Sequence, residues 1–419
     1  MTGTFSIKTL GCKFNQYESS LIVSALSASG WRVVPFGERA DIVVVNTCTV
    51  TDSADKKCRN YIRQGARFAS TGGVIVVGCL QRRAHSDVES MPEVKGIVDN
   101  SDREHLAGKI IQAAGFVFDG SDLFSEDDSL PFGRVRSFIR VQDGCDGKCS
   151  YCIVPSVRGN PVSRPFEDVM RHARKSIEHG VKELVLTGIT IGRYESGGYD
   201  LAGLAESIMN IEGDFRIRIT SIEPRHMNEK LASLFASPKL APHSHLPLQS
   251  GSDRILSRMN RPYNRQEFID VVNLIRTKCP DIAIGTDIIV GYPGETDVDF
   301  EQTLSLVRDM SFSYVHQFTY SARSGTPSSA DKGCDHRIVM SRSKELRTMT
   351  DIMTREYADS FIGKHDMAVI ERDGEGLAAR TGHYLRLPLA AQGGVLPGDY
   401  REVEIRSIDD TLKAIVVSD

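Results

Sequence analysis

Cys145-Asp146-Gly147-Lys148-Cys149-Ser150-Tyr151-Cys152 puts three thiols into eight residues, a C-x3-C-x2-C triplet about a third of the way along the chain. Three thiolates at this spacing can hold a soft metal centre, and no fourth cysteine or histidine follows nearby to close a tetrahedral zinc site. A cubane iron–sulfur cluster has four irons and usually four thiolates, so three cysteines leave one iron open to another ligand. The residues around the triplet decide what kind of fold presents it. A strand is predicted over 136–142, just before it, and a long βα alternation follows, with strands over 183–188, 216–221, 243–248, 281–287 and 314–320 and helices over 164–179 and 201–211. Six or so strands, each followed by a helix, imply a parallel barrel or part of one, with its chemistry at the strand ends.

Upstream, residues 1–118 read as an open parallel-sheet α/β domain. Strands are expected over 5–10, 41–46 and 73–78, with helices over 15–29 and 52–69 between them. Cys12, Cys48 and Cys79 each fall one or two residues beyond one of these strands. In an open parallel sheet the carboxyl ends of the strands line one edge, where ligands bind, so three cysteines far apart in sequence are expected to converge as a second metal site. Residues 119–133 are acidic and turn-rich and read as a linker between this domain and the barrel at 134–358. From 359 to 419 the chain changes to short strands with glycine turns, over 367–370, 376–380, 384–387, 402–405 and 412–417, as in a small antiparallel β-barrel.

Composition bounds the function. The chain has 419 residues, of which 40% are apolar and 25% charged, as in an ordinary globular protein of two or three domains. No apolar run approaches the roughly 18 residues of a membrane span, no signal peptide opens the chain, and nine cysteines without a secretory context point to metal or redox use in the cytoplasm. A net charge of -4 gives no general attraction to polyanions, so a nucleic-acid partner has to be met by local patches. Cys58, Cys279 and Cys334 have no motif spacing and read as incidental or buried thiols.

Taken together, the triplet, the three upstream cysteines, Thr9-Leu-Gly-Cys-Lys-Phe-Asn-Gln-Tyr-Glu-Ser19, Asn46-Thr-Cys-Thr-Val50, Val77-Gly-Cys79, His245-Leu-Pro-Leu-Gln-Ser-Gly-Ser-Asp253 and Asp287-Ile-Ile-Val-Gly-Tyr-Pro-Gly-Glu-Thr296 resemble the radical S-adenosylmethionine (SAM) methylthiotransferases. The opening motif, with Lys13, Gln16 and Tyr17, is most similar to the branch acting on N6-threonylcarbamoyladenosine beside the tRNA anticodon. An ordinary structural account also exists, with Asn15 capping a helix, Glu18 as its box partner and Tyr17 packed on the core.

The resemblance implies a radical SAM partial barrel, a TRAM-like C-terminal barrel and two 4Fe–4S clusters. Cys145, Cys149 and Cys152 would carry the cluster that binds SAM and reduces it to a 5'-deoxyadenosyl radical. Cys12, Cys48 and Cys79 would carry an auxiliary cluster that holds the sulfur to be inserted, and a second SAM would supply the methyl group. It further implies SAM contacts at Tyr151, Thr187, Gly188, Glu223, Gln249 and Ser250, although Glu223 has a ready alternative partner in Arg225. The implied partners are the tRNA anticodon stem-loop, an electron donor such as flavodoxin or ferredoxin, and a sulfur source, with no DNA and no membrane.

Cationic positions for tRNA are Lys56, Arg59 and Arg63 on one helix, and Arg254, Arg258 and Arg261, whose spacing predicts a common face. The C-terminal barrel is acidic, so only Arg380, His383, Tyr384 and Arg386 offer it an RNA-binding face. Two other readings stay open: the same reaction on isopentenyladenosine or on a ribosomal-protein aspartate, and a non-catalytic iron–sulfur RNA-binding protein. With two independent clusters, the triple variant Cys145→Ala, Cys149→Ala and Cys152→Ala should retain about four irons after anaerobic reconstitution, one cubane's worth. Loss of all iron from it would count against a second site.

Overall fold

The computed structural model describes residues 3–99, 105–118, 135–390, 394–408 and 411–417; the stretch read as a linker, 119–133, lies outside them. The N-terminal sheet is parallel throughout, in the order Arg32–Val33, Thr4–Thr9, Ile42–Thr47, Val74–Gly78, Val94–Ile97. Its three inner strands are those read from the sequence. The two edge strands are too short and too polar to announce themselves. Ile42, Val44, Ile75 and Val77 pack against helices Lys13–Ala28 and Leu106–Ala113, whereas Val43, Val45, Val74 and Val76 pack on the other face against helix Asp52–Ala66. A strand buried on both faces needs this unbroken apolar run.

The central region has six parallel strands in chain order: Arg136–Arg140, Glu183–Thr187, Arg216–Ile219, His243–His245, Ala283–Val290 and Tyr314–Thr319. They form two three-stranded sheets joined by a parallel bridge between Ser221 and His245, the geometry of a partial barrel. The fifth strand begins and ends later than the sequence indicates, because its pairing with the sixth continues to Val290 opposite Thr319. Alternation divides each strand. Ile139, Leu184, Leu186, Ile217 and Ile219 enter the main core beneath the helices. The opposite set includes Arg136, Glu183, Arg216, Arg218 and His243, an unusually charged interior.

Glu183 resolves that charge. Its buried carboxylate accepts from Arg216 Nε at 2.6 Å, from Arg218 Nε and Nη2 at 3.1 Å each, and from Arg136 Nη1 at 3.4 Å. The two inner guanidiniums turn their remaining donors onto the C-terminal domain: Arg216 to the carbonyls of Met367 (2.6 Å) and Arg380 (2.8 Å), and Arg218 to those of Thr381 (3.0 Å) and Gly382 (3.1 Å). That domain has five antiparallel strands, ordered Arg386–Pro388, Gly376–Thr381, His365–Asp373, Tyr400–Ile408, Thr411–Val416, and a bridge between Leu389 and Ala414 nearly closes it into a barrel.

The residues expected to offer RNA a face are therefore engaged elsewhere. Arg380 pairs with Glu371, Arg386 with Glu371 and Asp373, and His383 with Asp366, while Tyr384 stacks on His243 of the central barrel. Burial by itself would raise the Glu183 pKa, but Arg218, Arg216 and Arg136 pull it well below its ordinary 4.5. Its contribution to stability is thus fully present above about pH 4.5 and is lost as pH falls through the depressed value. Glu183→Gln should cost about 3–5 kcal/mol in urea unfolding, because it leaves buried guanidinium charge uncompensated. It should also make the 361–419 region the first to be released by limited proteolysis.

Candidate active site

The triplet loop is held from three sides. Gln142 donates to the carbonyls of Asp143 (2.6 Å) and Gly144 (2.8 Å) and accepts from Thr190 N–H (2.7 Å), which ties the loop's entrance to the turn after the second barrel strand. Gly144 has φ 75°, and a Cβ there would sit 2.0 Å from the Asn160 carbonyl oxygen, so no side chain fits. Across the mouth, Ser150 N–H donates to Met259 O (3.0 Å), Ser150 Oγ donates to Arg258 O (2.9 Å), and Asn260 Nδ2 donates to Lys148 O (2.8 Å). Two donors aim at sulfur: Gly147 N–H at Cys145 Sγ and Arg261 Nη1 at Cys149 Sγ, each 3.2 Å. Donors placed on cysteine sulfur are what cluster thiolates require.

The three upstream cysteines lie at one edge of the N-terminal sheet. Cys12 precedes helix Lys13–Ala28 after the first strand, Cys48 follows Thr47, and Cys79 follows Gly78; the three parent strands are neighbours in the sheet. Close approach is built in. A Cβ at Gly11 would meet Cys48 Cβ at 2.8 Å. Burial pushes the Cys48 thiol pKa up, and those of Cys79 and Cys152 up to about 12, so bound metal would be needed to keep these sulfurs ionised. Among the described residues no three His, Cys, Asp or Glu side chains converge on one metal-ion position.

The cap expected of Asn15 and Glu18 is not formed, since Cys12 is the cap residue and its side chain makes no capping bond to the helix backbone. Asn15 Nδ2 instead donates to the carbonyls of Leu10 (2.9 Å) and Thr47 (2.8 Å), fastening two cysteine-bearing strand ends together. Glu18 binds Arg158, which follows the triplet on the barrel: Nη1 to Oε1 at 2.5 Å and Nη2 to Oε2 at 3.2 Å, with Nη2 also 3.2 Å from Asn15 Oδ1. Both side chains are almost wholly buried. Arg158 also lies near enough to Cys48 and Cys79 for its charge to lower their pKa values. No spacing rule in the sequence pairs positions 18 and 158. Tyr17 is buried against Phe138 and Val185 of the barrel.

The remaining predicted positions divide. Tyr151 packs beside Ile255, Met259, Ile289 and Tyr292. Thr187 and Gly188 lie at the second strand's end, with Gly188 against Gln142. Glu223 pairs with Arg261, not Arg225. Gln249, between the fourth and fifth strands, is a non-glycine residue at φ 71°, a strain that often marks functional sites. Ser250 turns away to Thr303 Oγ1 at 3.4 Å.

Arg254, Arg258 and Arg261 do not share a face, because helix Asp253–Arg258 ends before the third. Arg254 and Arg258 are half-exposed beside Asp299 and Asp331, and Arg261 is buried on Glu223, Tyr263 and Cys149. Lys56 and Arg63 are exposed on helix Asp52–Ala66 and Arg59 is half-buried; Arg59 and Arg63 lie 3.9 Å from Asp87 and Glu93. Beyond the predicted positions, His245 Nε2 lies 3.1 Å from Asp287 Oδ1, and Arg323 reaches from the barrel to Asp55 at 2.8 Å.

A partial parallel barrel with an incomplete cysteine triplet on its first loop defines a radical SAM enzyme. The radical SAM superfamily model matches residues 139–307, and that of an uncharacterised family, UPF0004, matches residues 4–99. The threonylcarbamoyladenosine tRNA methylthiotransferase MtaB of Chlamydia pneumoniae is 38% identical over 385 residues, 91% of this chain and 89% of the relative. A tRNA-2-methylthio-N(6)-dimethylallyladenosine synthase of Cereibacter sphaeroides is 34% identical over 413 residues, 95% of each chain. Among solved structures, the radical SAM methyltransferase TsrM of Kitasatospora setae shares the fold, with TM-score 0.56 and 15% identity over 78% of this chain and 77% of that one. The chain belongs to the radical SAM methylthiotransferase family, on its MtaB branch. An iron–sulfur cluster and SAM are its cofactors.

Arg158→Ala would leave Glu18 buried and unpaired, a defect of about 3–5 kcal/mol. In the triple-alanine background, whose only motif cysteines are Cys12, Cys48 and Cys79, it should reduce the iron retained after desalting. Arg158→Lys should not restore it, because an ammonium cannot span both Glu18 oxygens and Asn15. Undiminished iron in Arg158→Ala would contradict this role.

Proposed function

We propose that this enzyme converts N6-threonylcarbamoyladenosine next to the tRNA anticodon into its 2-methylthio derivative, using two 4Fe–4S clusters and two molecules of SAM. The observation that carries the reading is the pair of incomplete cysteine sets, one on the barrel and one at the edge of the N-terminal sheet, joined through the buried Arg158–Glu18 contact. When bound, such clusters supply the electron that cleaves SAM and a site for the sulfur to be inserted; the chain's own part is to hold, orient and exclude water. The similarity to enzymes named for threonylcarbamoyladenosine supports the substrate.

In this reading Cys145, Cys149 and Cys152 ligate the SAM-binding cluster, and Cys12, Cys48 and Cys79 the auxiliary one. Tyr151, Thr187, Gly188, Glu223 and Gln249 line the SAM site, with Arg261 holding Glu223 in place. Ser250 serves that site through the turn it stabilises. Lys56, Arg59 and Arg63, with Arg254 and Arg258, meet tRNA phosphates. Residues 1–118, 134–358 and 359–419 act as methylthiotransferase, radical SAM and TRAM-like domains, working in the cytoplasm with a flavodoxin- or ferredoxin-type reductant and a separate sulfur source.

Reconstituted, reduced enzyme should release 5'-deoxyadenosine from SAM. A deletion strain without a paralogue should lose the 2-methylthio form of threonylcarbamoyladenosine from its tRNA nucleosides by mass spectrometry. Persistence of that form together with loss of methylthio-isopentenyladenosine would transfer the activity to the other adenosine.

A further inference from the structure

Lys13 directly follows Cys12 and opens helix Lys13–Ala28, the end of a helix where a cation is disfavoured; no acidic residue stands in that first turn. Its ammonium lies over the ring of Tyr384, 5.3 Å from the ring centroid. Tyr384 comes from the C-terminal barrel and is itself constrained: φ is 69°, in the left-handed region rarely used by bulky residues. Its ring stacks on His243 at 4.1 Å, with the Arg218 and Arg380 guanidiniums 5.2 and 5.4 Å from its centroid. All three structural regions thus meet at one point.

The charge there does not balance. Glu183 is committed to Arg136, Arg216 and Arg218, Glu371 to Arg136, Arg380 and Arg386, and Asp366 to His383. Among the described residues Lys13 has no carboxylate partner. Arg218 and His243 are buried behind, while Lys13, Tyr384 and Tyr314 keep part of their surface accessible. An ammonium and a phenol converging before a buried cationic wall are complementary to a carboxylate.

We propose that Lys13 and Tyr384 form a carboxylate-binding subsite that reads the charged end of the substituent on the substrate adenine. The inference rests on the substrate reading above. The threonylcarbamoyl group ends in a free carboxylate, whereas an isopentenyl group carries no charge. In adenine, C2 and the carbon bearing N6 flank N1, so a base whose C2 is presented at the Cys12 edge keeps its N6 substituent on the same side of the ring, within reach of a long side chain adjacent to Cys12. The competing account is that Lys13 only offsets the negative charge of whatever Cys12 ligates.

The test is binding of fluorescent anticodon stem-loops to reconstituted enzyme, with adenosine, isopentenyladenosine or threonylcarbamoyladenosine at the modified position. Wild type should prefer the threonylcarbamoyl loop. Lys13→Gln should weaken that loop alone by about tenfold or more, the loss expected of one charge-assisted hydrogen bond; Tyr384→Phe should weaken it less, and Lys13→Arg should keep part of the preference. Equal loss on all three loops, or no loss, overturns the subsite. Should Lys13→Gln not retain iron, Tyr384→Phe decides by the same selective criterion. A wild type that methylthiolates only the isopentenyl loop refutes the substrate reading itself, whereas one that modifies the threonylcarbamoyl loop and is matched by Lys13→Gln refutes the subsite alone.

Discussion

The contact on which the site depends is the buried ion pair between Arg158 and Glu18. A charge withdrawn from water is tolerated only where its hydrogen bonds are satisfied, and this guanidinium finds both Glu18 oxygens and Asn15 Oδ1. Asn15 in turn spans the ends of the first and third strands of the N-terminal sheet. Through three polar residues the loop carrying one cysteine set is therefore registered against the edge carrying the other. Apolar packing of Tyr17 on Phe138 and Val185 adds area to the same joint without adding direction.

A second buried carboxylate organises the opposite end of the barrel. Glu183 gathers Arg136, Arg216 and Arg218, and the donors left over are spent on carbonyls at 367 and 380–382 of the C-terminal barrel. The acidic composition of that barrel accords with this use: its Glu371 and Asp366 hold Arg380 and His383, and Tyr384 is delivered to the barrel interior. The two pairs share a design, in which a buried carboxylate lets arginine bridge two structural regions.

Much of the fold was legible because the relevant signals are local. Apolar runs such as Ile42-Val-Val-Val and Val74-Ile-Val-Val announce buried parallel strands, and βα alternation announces the barrel. Strand ends were less legible: the fifth barrel strand extends to Val290 because its neighbour is long enough to pair there. Arg254, Arg258 and Arg261 have helical spacing, yet the helix stops at Arg258 and the third arginine turns inward to Cys149 and Glu223. Asn15 and Glu18 have the composition of a capping box, but each has a stronger partner outside its own helix. Local propensity is a weak guide wherever a tertiary partner competes.

By itself the sequence determined which residues could be ligands, since only cysteine sulfur in sets of three suits an open iron–sulfur site, and it determined the order of the three structural regions. The periodicity of each strand and the position of each cysteine just beyond a strand are properties of the chain alone. Tertiary structure decided which distant charges meet: position 158 with 18, 183 with 216 and 218, 13 with 384. Those pairings depend on how whole sheets pack, and no rule of spacing encodes them because their energy arises only when burial removes the water that would otherwise screen each charge.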